Sequence, residues 1–328
     1  MKENLIPHIS QKIEKVLKKE KLKVSVLPQE FIEKTNAGKH RYFSVCKTKK
    51  GKKRVFYARI QKNKDAAKKV RKEAIFAILL QRKRFQKKIP FLKFLPKYYK
   101  GKIEKDFEWI EREFIKEKPI GDNELLNKKL TKKQISEICE FLWLLSKTNV
   151  SSLEKIPLEE FPFKNYKEIL YPLRSLKEKR ILNKKDLSLA ENFLKENIAI
   201  FKREHKYFSH GDFNLGNIIF TQKGLKVIDW ESMEINNFAY DIAYLFCHLW
   251  QAKKWQRRYL IERYLDKVSE TKKEVFKILF RGDLLFLLEG GFFAKPKEIK
   301  TSQLKERRNF FAKAIKASLR GFEKILLI

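Results

Sequence analysis

Glycine and cysteine are scarce in this chain of 328 residues, at 11 and 3 copies. The cysteines, Cys46, Cys139 and Cys247, lie far apart with no Cys-x-x-Cys pair, which excludes a disulfide framework and a thiolate metal site. Cys139 and Cys247 sit in apolar helical stretches and Cys46 in a strand, so all three are expected as small buried side chains in a reducing cytosol. Long hydrophobic runs are missing too. The runs Ala74 to Leu80 and Leu284 to Leu288 fall far short of the roughly 20 residues a membrane helix needs, and Met1 to Leu5 lacks the apolar core of a signal peptide. A soluble, cytoplasmic protein is the expectation. Acidic residues are outnumbered, with 40 Asp+Glu against 76 Lys+Arg and a net charge of +36. Such a balance attracts nucleic acid, anionic membrane and negatively charged ligands. The excess is mostly lysine spread along the whole chain, however, and no aromatic RNA-binding peptide accompanies it. No internal repeat is visible.

What is present is a globular pattern, 43% hydrophobic and 13% aromatic, long enough for one large domain or two lobes. Ile6, Ile9, Ile13, Val16 and Leu17 share one helical face, so the chain is expected to open on an amphipathic helix. Residues 41–46 and 54–60 read as strands joined by a turn at Lys49-Lys50-Gly51-Lys52. A basic helix is predicted from about Ala66 to Arg84, then strands around Leu95–Tyr99 and Phe107–Ile115. The peptide Lys116 to Asp122 breaks the pattern, and beyond it the chain reads as mainly helical. The fold class is α+β.

One stretch carries chemistry. His210-Gly211-Asp212-Phe213-Asn214-Leu215-Gly216-Asn217 is followed by two short strands around a Lys223-Gly224 turn and then by Ile228-Asp229-Trp230-Glu231. The hairpin is expected to return Asp229 beside Asn217. Two such oxygen ligands together with phosphate oxygens suit Mg²⁺, and Asp212 is then available to accept a proton from a hydroxyl. Read alone, each piece is an ordinary polar loop; the ordered set is specific.

The His-Gly-Asp-x-x-x-x-Asn and Ile-Asp-Trp-Glu peptides, with the small β-rich lobe, connector and helical lobe, resemble the aminoglycoside phosphotransferase and choline kinase family. The resemblance is strongest over about residues 205–250 and weaker over 33–122. It implies a protein-kinase-like two-lobe fold: residues 1–115 as an N-terminal helix and nucleotide-binding lobe, 116–123 as a hinge, and 124–328 as a helical catalytic and substrate-binding lobe. It also implies ATP and Mg²⁺, with Asp212 as catalytic base, Asn217 and Asp229 as metal ligands, and His210 and Asp241 bracing the loop. Gly38, in Thr35 to Arg41, marks a turn whose backbone N–H groups are placed for phosphate. Arg59 occupies the strand position where protein kinases carry a lysine, a change that choline-kinase-like members often share; Lys62 is a reserve. Glu73 is the expected ionic partner of Arg59, and the backbone near Glu113, Phe114 and Ile115 is expected to meet adenine.

For the acceptor, Trp230, Tyr240, Tyr244, Trp250 and Trp255 are candidates for a quaternary-amine pocket, although Tyr244 and Trp250 read more simply as core. A polycation would be repelled unless acids such as Glu231 and Glu234 line the site, and an anionic acceptor, such as a glycolipid sugar, suits the net charge better. The expected activity is ATP- and Mg²⁺-dependent phosphorylation of a hydroxyl on a small molecule, an amino alcohol or a sugar. The competing expectation is a non-catalytic kinase-like protein that binds RNA or anionic membrane. A protein kinase is disfavoured because no Asp-Phe-Gly or Ala-Pro-Glu peptide is present.

Overall fold

The amphipathic start of the chain folds as expected, into helix α1 (Leu5–Lys19), in a computed structural model that describes residues 5–24, 40–60, 64–105, 107–122, 124–153, 155–158, 166–295 and 299–328. Two units are distinguishable. The first comprises residues 1–116 with two returns of the chain, 151–158 and 229–232; the second holds the remainder.

In the first unit, β1 (Lys23–Val24), β2 (His40–Lys47), β3 (Lys53–Ile60), β4 (Tyr98–Ile103) and β5 (Phe107–Glu113) form one antiparallel sheet in the order β1-β2-β3-β5-β4. Alternation along the strands sends Cys46, Phe56, Ala58, Phe107 and Trp109 into one cluster with Ile13, Leu17 and Leu22, so the α1 face is buried against the sheet. Helices α2 (Lys64–Leu79) and α3 (Lys83–Gln86) follow β3. A single helix to Arg84 was expected. The chain instead turns at residues 80–82, because Leu80, Phe85 and Phe91 are all buried and five- and six-residue steps cannot share one straight helical stripe. The strand expected at Leu95–Tyr99 begins only at Tyr98. A 3-10 turn occupies Leu92–Phe94, and Pro96 holds Leu95 extended while lacking a donor for the ladder.

The second unit contains α4 (Lys132–Ser146), α5 (Tyr166–Glu178), α6 (Lys184–Glu204), two small hairpin-like pairs, and α7 (Tyr240–His248), α8 (Lys254–Leu265), α9 (Glu270–Phe293), α10 (Thr301–Arg320) and α11 (Phe322–Ile325). The pairs are β6 (Tyr207–Ser209) with β9 (Glu234–Asn236), and β7 (Ile218–Thr221) with β8 (Gly224–Val227). Capping boxes at Thr131/Gln134 and Asn183/Asp186 start α4 and α6. Phe246, Phe276 and Phe280 pack in the core, and buried Arg257 donates to the Leu249 carbonyl at the end of α7. Among the described residues no helix is long and apolar enough to cross a membrane. All three cysteines are free and buried, and burial pushes the Cys139 thiol up to about 12.

Candidate active site

Between β6 and β7 the chain makes a polar loop whose shape is held by its own backbone groups. Asp241, in the first turn of α7, accepts from the amides of His210 at 2.9 Å and Gly211 at 3.1 Å. Burial is the first cause that pushes its pKa above the ordinary carboxylate value, and these hydrogen bonds oppose the rise. Asp241 therefore clamps the loop; the N-cap position of α7 belongs to Ala239. His210 is fully buried, with Nδ1 accepting from the Asp212 amide at 3.3 Å and Nε2 donating to the Ile228 carbonyl at 3.1 Å. Both ring nitrogens serve the backbone, so His210 braces two strands of the loop and has no nitrogen left for a reacting proton.

The Asp212 carboxylate is set by three side chains. Oδ1 accepts from Asn214 Nδ2 at 2.9 Å and from the Tyr244 hydroxyl at 2.8 Å, and Oδ2 accepts from Asn217 Nδ2 at 3.3 Å. Asn217 Nδ2 also donates to the Asp212 carbonyl at 2.8 Å. Its amide nitrogen is thus turned toward Asp212, and among the described residues no donor meets its Oδ1. That oxygen is the atom a hard cation would take.

The hairpin then does what its turn chemistry suggests. Ile218 pairs with Val227, and the Ile228 amide donates to the Asn217 carbonyl at 3.1 Å, so the residue before Asp229 is tied to Asn217. Asp229 itself has φ +63°, a left-handed backbone that a non-glycine residue adopts at a cost of about 1 kcal/mol or more and that clusters at functional sites. Ahead of this region, the Ile120 amide donates to the Ile218 carbonyl. A Cβ on Gly121 would lie 2.3 Å from the Leu125 carbonyl oxygen and 2.8 Å from Leu215 Cβ, so only glycine fits there.

Tyr244 was expected as core and is a site residue. It lies one helical turn from both Tyr240 and His248, with ring centroids 6.1 and 4.8 Å away, and its hydroxyl points to Asp212. Burial first, then the Asp212 charge, pushes the phenol far above its ordinary range, so it acts only as a donor. The i, i+4, i+8 spacing of Tyr240, Tyr244 and His248 was the available signal. The other aromatics named as candidates have surroundings of their own. Trp230 belongs to the first unit, where it stacks on Phe91 at 5.1 Å and packs against Phe76, and Trp255 is exposed. Trp250 Nε1 donates to the Glu124 carbonyl.

In the first unit, Arg59 lies on β3, paired in register with Arg41 and Glu108; its side chain, Gly38 and Lys62 lie outside the described residues. Glu73 is buried and accepts from the Tyr98 hydroxyl at 2.8 Å; it is not on a solvated helix face. It shares a narrow cavity of about 10 Å³ with Tyr57, Glu108 and Glu231. Glu108 was not anticipated; alternation on β5 places it there, and Arg71 Nε meets it at 3.2 Å. Glu231 is likewise buried and is no part of an acidic surface. The Glu113 amide donates to the Lys97 carbonyl, and its own carbonyl accepts from Arg112; Phe114 and Ile115 are irregular.

Solved structures of similar fold include the GDP complex of aminoglycoside 2'-phosphotransferase-IIIa, at 14% identity and a TM-score of 0.54, with 93% of this chain and 98% of that one covered. An amicoumacin kinase in complex with AMP-PNP and Ca²⁺ matches at 11% identity and 0.54, covering 94% and 96%. A macrolide 2'-phosphotransferase from Brachybacterium faecium matches at 10% and 0.53, covering 92% and 98%. The fold is therefore kinase-like. A sequence model of the phosphotransferase enzyme family matches residues 38–273, well over half of the chain, and the chain belongs to that family.

Proposed function

We propose that this enzyme transfers the γ-phosphoryl group of ATP, with Mg²⁺, to a hydroxyl of a small molecule. The observation that carries the reading is the Asp212 carboxylate, aimed by Asn214, Asn217 and Tyr244 inside a loop clamped by Asp241. A carboxylate fixed in this way accepts the proton of an attacking hydroxyl and orients its oxygen, which is the positioning that phosphoryl transfer requires.

Asn217 and Asp229 are the residues that would hold the cation. The fit rests on the turned-away carboxamide oxygen of Asn217 and on the strained backbone that presents Asp229. Among the described residues no group of three or more His, Cys, Asp or Glu could hold a metal ion alone, so a cation here relies on this pair and on phosphate oxygens. When bound, Mg²⁺ neutralises phosphate charge. The roles of Gly38 and Arg59 toward phosphate, of Glu73 toward Arg59, and of the Glu113 and Ile115 backbone toward adenine belong to the same reading. So do the connector at 116–123 and a cytoplasmic location, which suits three free buried thiols. The alternative of a non-catalytic RNA- or membrane-binding protein rests on composition alone.

The test is ADP release by the purified full chain with Mg²⁺-ATP and a panel of hydroxyl compounds, alongside calorimetric titration with nucleotide. Neither nucleotide binding nor turnover would sink the proposal.

A further inference from the structure

We infer that the acceptor is an uncharged hydroxyl compound of sugar or nucleoside size, bound in a pocket of the second unit where the one acid among the described wall residues is neutralised from within. The inference rests on the phosphotransferase reading above. The pocket, about 260 Å³, is walled by Tyr244 and His248 of α7, Leu287 and Gly290 of α9, and Phe311 of α10. Tyr244 ties it to the chemistry, because the same residue donates to Asp212 Oδ1. The volume sits just under the range of about 300–1,000 Å³ usual for drug-sized ligands, which favours a one-ring acceptor over a multi-ring one.

Charge decides the class. Among the described residues the wall carries one carboxylate, Glu124, and one guanidinium, Arg307. They face each other through two contacts, Arg307 Nε to Oε2 at 2.9 Å and Nη2 to Oε1 at 3.3 Å, and Nη1 donates to the Gly291 carbonyl. Arg307 is buried and its guanidinium lies 4.4 Å from the centre of the Phe311 ring.

Among the described wall residues both formal charges are then paired with each other. A polycation needs several carboxylates, and the one among the described wall residues, Glu124, is engaged by Arg307. A quaternary amine needs open aromatic faces, yet Phe311 already carries a guanidinium and Tyr244 packs beside His248 at 4.8 Å. An anion would meet a guanidinium whose charge is already matched by Glu124, with three of its five N–H donors directed to Glu124 and Gly291. What the wall offers is apolar surface with a few neutral polar atoms, the usual make-up of a site for sugars, polyols or nucleosides.

The experiment compares size-matched neutral sugars and nucleosides, aminoglycosides, choline and ethanolamine, and sugar phosphates. Each is scored by ADP release with Mg²⁺-ATP and, independently, by thermal stabilisation of the full chain without nucleotide. Gly290→Leu fills the pocket, since a Cβ there meets nothing within 4 Å. The expected result is neutral compounds preferred at least tenfold in kcat/KM, with Gly290→Leu raising the acceptor KM at least tenfold and leaving nucleotide affinity unchanged. Arg307→Gln, which exposes Glu124, is expected to shift preference toward cationic acceptors. Preference of the unsubstituted chain for cationic or anionic acceptors overturns the inference and leaves the phosphotransferase reading intact. An unchanged acceptor KM in Gly290→Leu, or no stabilisation by any class while nucleotide binds, overturns it equally. Loss of nucleotide binding itself counts against the reading beneath.

Discussion

The loop from His210 to Asn217 and the sheet of the first unit are put together in opposite ways. In the loop, every candidate residue is reached by partners within about 35 positions: Asp241 clamps it, Ile228 closes it and Tyr244 aims its carboxylate. In the first unit, the described candidates run from Arg59 to Ile115 and are related through strand register and the α2 helix. The difference teaches where chemistry is robust. A short loop held by buried, charge-assisted hydrogen bonds fails locally and steeply when one member is removed, whereas a sheet spreads its tolerance over many ladder bonds.

The largest effect expected is at the centre of the loop. Asp212→Ala should lower kcat by about 10²–10⁴-fold, the usual contribution of a positioned base, with nucleotide affinity nearly unchanged by calorimetry. Equal loss of both would remove the contrast between the two regions. Asp229→Ala should raise the Mg²⁺ concentration needed for half-maximal activity by at least the ~10–100-fold seen when metal sites lose a supporting group. A magnesium titration checks this, and an unaltered requirement counts against Asp229 as a ligand.

Gly121→Ala forces a Cβ against the Leu125 carbonyl and Leu215, and should destabilise the second unit by about 1–3 kcal/mol in denaturant unfolding. Tyr244→Phe removes one hydrogen bond to the Asp212 carboxylate, worth about 1.5–3 kcal/mol in general, so kcat should fall by about tenfold or more with the fold intact by circular dichroism.

The smallest effect is one of pH. Asp283 is fully buried on α9, held by Asn237 Nδ2 at 2.9 Å, and burial pushes its pKa well above the ordinary carboxylate value. Between the unfolded value, about 3.9, and the raised folded one, the folded chain keeps a proton that the unfolded chain has released. Stability contributed by this group therefore falls as pH rises through that window, by up to about 1.4 kcal/mol per pH unit. Asp283→Asn should flatten the slope in urea unfolding followed from pH 5 to 8. An unchanged slope would show that the carboxyl is ionised in the folded protein.

Much of this was legible beforehand. The spacing of Asp212, Asn217 and Asp229 around a two-strand hairpin is a local property, and turn chemistry brought Ile228 back to Asn217. Helix α1 and strands β2 and β3 were readable from apolar periods of 3.6 and 2. The missed features are non-local. Nothing in the sequence says that Tyr244 turns its hydroxyl to Asp212 and not into the core, that Glu108 meets Glu73 and Glu231 in one cavity, or that Trp230 stacks on Phe91. Nor does it single out Glu124 and Arg307 as a pair, since they stand 183 positions apart.

The sequence by itself determined the family and singled out the groups proposed to react, because backbone turn rules and ligand chemistry act over a few residues. Only the tertiary structure decided how those groups are aimed and what the acceptor pocket offers. Burial and pairing depend on which distant side chains meet, and a carboxylate held by a guanidinium presents a different charge to a ligand from the same carboxylate alone.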